Sequence, residues 1–360
     1  TTTLTGKDTL FENASYAYYP LTEEPANYKE VSADENGKLV WNSGKKVTDQ
    51  SVLIPYEGEA LVSETMYTVQ VSVADNHGNT ESVEGTFETG IFDNTEFVAK
   101  MITGDFPEEE TACPAFGKIF AIDKKVKKAR LYATAHGVYE ATLNGQTVGD
   151  YRMAPGWTSY HNRLQYQIYD VTELLAMENK IAITVGNGWY KGKFGLAGMA
   201  ENFGSRFLLI AEMHISYTDG TQQVIGTDNT WNYQGSDIED DSIYDGEIIN
   251  HLLWEKEENK VYQAVETTVE GKLTERYSLP VREMEDMPVK EIIHTPAGET
   301  VLDFGQNFAG YITFVNHQKK GTKLVFDFGE ILQHGNFYNE NYRSAKSQFV
   351  YISDGREELV

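Results

Sequence analysis

The sequence predicts an all-β protein of tandem β-sandwiches, and three observations carry that prediction. Aromatic residues make up 12% of the chain and glycines number 31, while runs with the 3.6-residue period of an amphipathic helix are scarce. Several stretches alternate apolar and polar residues on either side of a turn, the pattern of half-buried strands in hairpins. These hairpin-rich blocks follow one another along 360 residues, which fits sandwiches in series rather than one closed sheet.

Residues 67–89, YTVQVSVADNHGNTESVEGTFET, read as two strands around an Asn76–Asn79 turn, with Val69, Val71 and Val73 on one face. Residues 97–114 read as a linker, with Pro107 and Pro114 around an acidic patch. In 138–150 the dipeptide Asn144-Gly145 separates two short strands; it is a strong hairpin signal because both central residues of the turn need positive φ. Residues 170–177, DVTELLAM, suit one or two helical turns capped by Asp170 or Thr172. Further hairpins are expected in 207–228 around Asp219-Gly220 and in 310–332 around Lys319–Gly321. Boundaries near 95 and 280–290 divide the chain into domains at 1–95, 113–280 and 285–360, the last an incomplete sandwich, with a linker at 96–112.

Composition narrows the partners. With 40% hydrophobic residues the chain can bury real cores. Its 55 acidic and 30 basic residues give a formal charge of −25, which disfavours nucleic acid and anionic membranes. Neutral ligands, or a cation recruited by carboxylates, remain, as does the plain reading of a solvated surface. Cys113 is the only cysteine, so no intrachain disulfide forms, and the compartment stays open. No apolar run approaches the ~18 residues of a membrane span. The start, TTTLTGKD, has neither a basic nor an apolar leader segment, and both ends are expected to continue into something longer.

Residues 181–195, IAITVGNGWYKGKFG, place an apolar run before Gly186, Gly188 and Gly192. A dinucleotide loop must run into a helix whose amides meet the phosphates. Here KFGLAGMAENFG follows, with three more glycines, so that reading fails. Adjacent Trp189 and Tyr190 suit a sugar, whose C–H faces pack on aromatic rings. The alternative is that Trp189 anchors a core and the glycines only permit a turn. Residues 235–250, GSDIEDDSIYDGEIIN, are acidic without EF-hand spacing. Asp237–Asp241 read as a solvated loop, whereas YDGE is a tight turn with a carboxylate on each side of Gly246. The eight histidines lack metal spacing, and no P-loop, H-E-x-x-H or G-x-S-x-G occurs.

Five stretches together resemble one family. Residues 132–175, VGNGWYKGKFG (185–195) and IYDGEIIN (243–250) are similar to the N-terminal region of bacterial α-L-rhamnosidases of glycoside hydrolase family 78. That family typically carries Asp where Asn250 stands. LDFGQNFAGYITF (302–314) with GEILQHGNFYNENYRSA (329–345) resembles the next β-domain, and 40–47 with 67–90 the leading one. The resemblance implies an immunoglobulin- or fibronectin-III-like domain, then a jelly-roll, then a truncated concanavalin-like β-sandwich. It implies a parent that hydrolyses terminal α-L-rhamnosides with inversion, using carboxylates of an (α/α)₆ barrel beyond Val360, so no catalytic residue is assigned here. It also implies a rhamnose site beside Ca²⁺ in 113–280, with Asn187, Trp189 and Tyr190 toward the sugar and Asp245 and Glu247 toward the ion. The rivals are a purely structural spacer, a free-standing carbohydrate-binding or adhesin-like protein, and a complete hydrolase.

Overall fold

The computed structural model describes residues 27–48, 53–75, 77–92, 97–106, 112–193, 195, 198–255, 260–268 and 270–360, with two short paired strands at Thr2–Thr3 and Ser15–Tyr16 before them. The chain divides into two compact units, Thr1–Glu96 and Phe97–Val360.

In the first unit the described strands are β1 (Asn27–Asp34), β2 (Leu39–Asn42), β3 (Lys46–Val47), β4 (Met66–Ala74) and β5 (Thr80–Glu88). They form one antiparallel sheet in the order β2-β1-β4-β5, with β3 beside β1. Tyr67 and Val69 are buried, and Tyr67 stacks on Phe87 with centroids 5.4 Å apart. The expected turn joins β4 to β5: Asp75 Oδ1 accepts from the amides of His77 and Asn79, while Asn76 lies outside the described residues.

The second unit opens with β6 (Met101–Thr103), β7 (Pro114–Ala121), β8 (Val126–His136), β9 (Val138–Leu143) and β10 (Gln146–Thr147). There follow β11 (Arg163–Asp170), β12 (Glu178–Gly186), β13 (Leu208–Tyr217), β14 (Gln222–Gly226) and β15 (Asn232–Gly235). Next come β16 (Ile238–Ser242), β17 (Gly246–Asn250), β18 (Tyr262–Gln263), β19 (Val265–Thr267) and β20 (Lys272–Glu275). One sheet runs β19-β6-β13-β8-β11-β20 with β14 on β13; the other runs β10-β9-β12-β7-β15-β18. Their inner faces make the core. Leu131, Ala133, Leu209, Ala211 and Met213 of the first sheet meet Phe116, Leu143, Ile181, Ile183 and Val185 of the second. Alternation explains this, since every second strand residue faces inward.

Two expectations change here. The supposed linker at 96–112 contributes β6, whose three residues are buried within the first sheet. The helical signal at 170–177 is a single 3-10 turn at Thr172–Leu174. The Asn144-Gly145 hairpin forms as read, with both residues at positive φ.

The remaining strands are β21 (Glu291–His294), β22 (Thr300–Asp303), β23 (Val315–Asn316), β24 (Lys323–Asp327), β25 (Ile331–Gln333), β26 (Asn336–Tyr338), β27 (Gln348–Ile352) and β28 (Glu358–Leu359). The hairpin expected around Lys319–Gly321 is not a ladder. β23 pairs with β28 and β24 with β27, and the Gly321 amide donates to the Ser353 carbonyl. Asp237–Asp241 is not a solvated loop either. β16 and β17 form a hairpin that joins β27 and β24 in a sheet ordered β16-β17-β27-β24. Half-burial of its residues is what pairing on a sheet imposes.

Candidate functional site

The glycine loop leaves the end of β12 where β8 crosses from one sheet to the other at Gly137. Gly137 has φ +116°, and a Cβ there would sit 2.0 Å from the Gly186 carbonyl oxygen. A Cβ on Gly188 would sit 2.8 Å from the Gly137 carbonyl carbon, and one on Gly186 would strike the Asp241 carboxylate. These glycines therefore let two backbones and one carboxylate approach closely. No phosphate is needed to explain them.

That carboxylate organises the site. Asp241 Oδ1, on β16, accepts from the Asn187 amide at 2.7 Å and from Asn187 Nδ2 at 2.7 Å, and Nδ2 also reaches the Asp241 carbonyl at 3.0 Å. Buried Cys113 Sγ donates to the same Oδ1 at 3.2 Å. Burial, with Asp241 next to it, pushes the Cys113 thiol well up, so it remains a protonated donor. Asn187 is thus buried and engaged inside the protein.

Glu247 faces Asp241 across the β16–β17 ladder. Burial first, then Asp241, Asp237 and Glu140, push its carboxyl up to about 7. Burial, followed by Asp241, also raises Asp240. Asp245 sits in the turn between the strands with Lys193 Nζ 3.3 Å from Oδ1 and 3.2 Å from Oδ2. Among the described residues, Asp245 and Glu247 do not gather with a third histidine, cysteine or carboxylate within 4.8 Å. Oxygen donors and excess negative charge suit a hard cation; their spread does not yet make a cage. Asn250 Nδ2 donates to Glu239 Oε2 at 2.7 Å, a bond an aspartate cannot make.

The two aromatic residues part company. Trp189 is half-buried and keeps an accessible surface. Tyr190 turns inward. It is 9% exposed and packs against His136 and Tyr160, with centroids 4.4 and 5.0 Å away. His136 is itself a core residue. Burial, then His161, pulls its pKa down to about 4, and among the described residues neither ring nitrogen has a hydrogen-bond partner. Sequence reasoning missed Asp241 as an anchor, because an Asp in DIEDDS looks solvated. It missed Cys113, which sits in no motif, and Lys193, which was passed over within the glycine loop in favour of its aromatic residues.

Comparison with known proteins gives three family matches in order along the chain. Residues 23–93 match a Rha78A-like N-terminal immunoglobulin domain, 124–285 the alpha-L-rhamnosidase N-terminal domain, and 293–360 the bacterial alpha-L-rhamnosidase concanavalin-like domain. The chain belongs to the α-L-rhamnosidase family. An α-L-rhamnosidase of Formosa agariphila is 32% identical over 342 residues, 88% of this chain and 37% of that one. The crystal structure of native α-L-rhamnosidase from Aspergillus terreus superposes with TM-score 0.85 at 29% identity, over 94% of this chain and 41% of that one. A Streptomyces avermitilis α-L-rhamnosidase complexed with L-rhamnose superposes with TM-score 0.82 at 22% identity, over 94% and 51%. The chain spans well under two thirds of each of these rhamnosidases. The resemblance read from the glycine loop and the YDGE turn falls within the matched N-terminal domain.

Proposed function

We propose that this chain is an accessory β-domain region of an α-L-rhamnosidase that hydrolyses terminal α-L-rhamnosides with inversion, and that it presents carbohydrate-binding surface without catalysing the reaction. The carrying observation is the unbroken order of three rhamnosidase β-domains along the chain. The L-rhamnose in the Streptomyces avermitilis structure supports rhamnose-containing glycans as the ligand class.

In this reading the sugar ring packs on the accessible face of Trp189, beside the acidic turn of Asp245 and Glu247. Asn187 and Tyr190 shape the loop from behind. Ca²⁺ at Asp245 and Glu247 requires Lys193 to release Asp245, and the ion then takes over the charge that lysine balances. Binding of L-rhamnose is expected in the range of about millimolar to tens of micromolar. Isothermal titration with L-rhamnose, with and without EDTA, tests it. Heat that disappears in Trp189→Ala supports the site, and absence of heat at high protein concentration leaves a structural spacer. The chain alone should not release rhamnose from an aryl α-L-rhamnoside. Turnover that co-purifies with the protein through a second column would overturn the non-catalytic assignment.

A further inference from the structure

A second constellation lies at the far end of the β16–β17 hairpin. His251 opens a 3-10 turn directly after β17. Its Nε2 lies 3.0 Å from Asp237 Oδ2, just before β16, and its Nδ1 lies 2.8 Å from Glu358 Oε1, at the start of β28. Ligand atoms of His251, Asp354 and Glu358 all fall within 4.8 Å of one another. The side chains of His251 and Asp354 are largely buried, at 13% and 11% exposure.

The hydrogen-bond logic singles out Nδ1. A neutral imidazole that gives its Nε2–H to Asp237 presents a lone pair at Nδ1. That lone pair points at a carboxylate oxygen, which is also an acceptor. An imidazole nitrogen and a carboxylate oxygen 2.8 Å apart share a positive centre, either a proton on Nδ1 or a metal ion beside them. Tyr351 does not supply it: its hydroxyl donates to Glu358 Oε1 at 2.9 Å and stands 3.5 Å from His251 Nδ1. Arg356 is mostly exposed; its amide donates to Asp354 Oδ1 at 3.0 Å, its Nε lies 2.5 Å from Asp354 Oδ2 and its Nη2 3.9 Å from Glu358 Oε2. Three carboxylates against one guanidinium leave two negative charges around the imidazole. Asp237 behind Nε2 is the arrangement that orients a metal-binding histidine.

We propose that His251 Nδ1, Asp354 and Glu358 form a binding site for a divalent transition metal of the Zn²⁺ class, with Asp237 positioning His251. One nitrogen and two carboxylate oxygens suit Zn²⁺ better than Ca²⁺, which takes oxygen ligands in larger number. Three protein ligands leave a fourth position for water. His251 and Asp237 belong to the segment around β16 and β17, whereas Asp354 and Glu358 flank the end of the chain from β27 to β28. A bound ion would therefore tie these two segments together. This site stands independently of the rhamnosidase reading.

The test uses the full chain stripped with EDTA and titrated with ZnCl₂ by calorimetry at pH 7.5, and with Co²⁺ by visible absorption. The expected result is one equivalent bound, and Co²⁺ d–d bands more intense than those of the aqueous ion. His251→Gln and Glu358→Gln should each weaken binding by tenfold or more, and Asp237→Asn by about tenfold through loss of orientation. Asp219→Asn, at an exposed turn, should leave it unchanged. If His251→Gln does not fold, the ¹⁵N shift of His251 Nδ1 in the wild-type chain serves instead, and it must move on Zn²⁺ addition. Substoichiometric binding, binding untouched by these substitutions, or a His251 resonance that responds to pH but not to Zn²⁺ would overturn the site in favour of a proton at Nδ1.

Discussion

Replacing Asp241 tests whether the glycine loop is held from within. Asp241→Ala removes the acceptor of three buried or half-buried donors: the Asn187 amide, Asn187 Nδ2 and Cys113 Sγ. A hydrogen bond to a charged group contributes about 1.5–3 kcal/mol, and a buried donor left alone costs about 1–3 kcal/mol. Nδ2 keeps its bond to the Asp241 carbonyl and a thiol is a weak donor, so the main loss is at the Asn187 amide. Relief of Glu247 returns about 1 kcal/mol, for a partly solvated like-charge pair. The net cost is about 2–4 kcal/mol. Because the chain has several domains, one melting temperature does not isolate this loop. Amide hydrogen exchange does, and the Asn187 amide should exchange about 30- to 1,000-fold faster in Asp241→Ala. Asp241→Asn keeps an acceptor oxygen while removing the charge, so it should slow exchange relative to the alanine variant. Unchanged Asn187 exchange in Asp241→Ala, or equal effects of the two substitutions, would refute the account.

Two titrating groups should shape the pH dependence in opposite senses. Glu247 has its folded pKa raised from 4.5 to about 7, so the folded state holds the proton more tightly and stability is lost as pH rises through 4.5 to 7. His136 has its pKa lowered from 6.5 to about 4, so stability is lost as pH falls from 6.5 towards 4. Glu247→Gln should flatten the first limb and His136→Gln the second, read by thermal unfolding across pH 4–8; a profile indifferent to both would remove these groups as its source. The two aromatic neighbours should separate function from packing. Tyr190→Ala should cost about 3–5 kcal/mol of stability. Trp189→Ala should leave the melt nearly unchanged while abolishing any L-rhamnose binding, and the reverse pattern would exchange their roles.

The sandwich architecture was legible because alternation and turn dipeptides report local geometry. Asn144-Gly145 demanded a two-residue turn, and the structure makes one. Pairings between distant strands were not legible, since nothing local tells β17 that its neighbour will be β27, about a hundred residues on. For that reason DIEDDS read as solvent-facing when it is a paired strand, and 310–332 read as a hairpin when its strands go to separate partners. At the loop, sequence singled out a segment but not the direction of its side chains. Trp189 and Tyr190 are adjacent and chemically alike, and only tertiary packing decides that Tyr190 faces His136. Asn187 was singled out for a sugar, and sequence gave no sign of its bond to Asp241.

The hairpin of β16 and β17 crosses the border that sequence families draw at about residue 290. β17 lies parallel to β27, and a Cβ on Gly246 would overlap the Gln348 carbonyl oxygen. A chain cut at that border would expose one edge of the hairpin and strip β27 of a neighbour, so neither half is expected to be an autonomous folding unit. The hairpin must also wait for β27 to be synthesised before it can complete its ladder. Long-range pairing of this kind is slow to find. Expression of the two regions as separate modules should therefore yield aggregation-prone material, and co-expression should rescue it by complementation across the severed ladder.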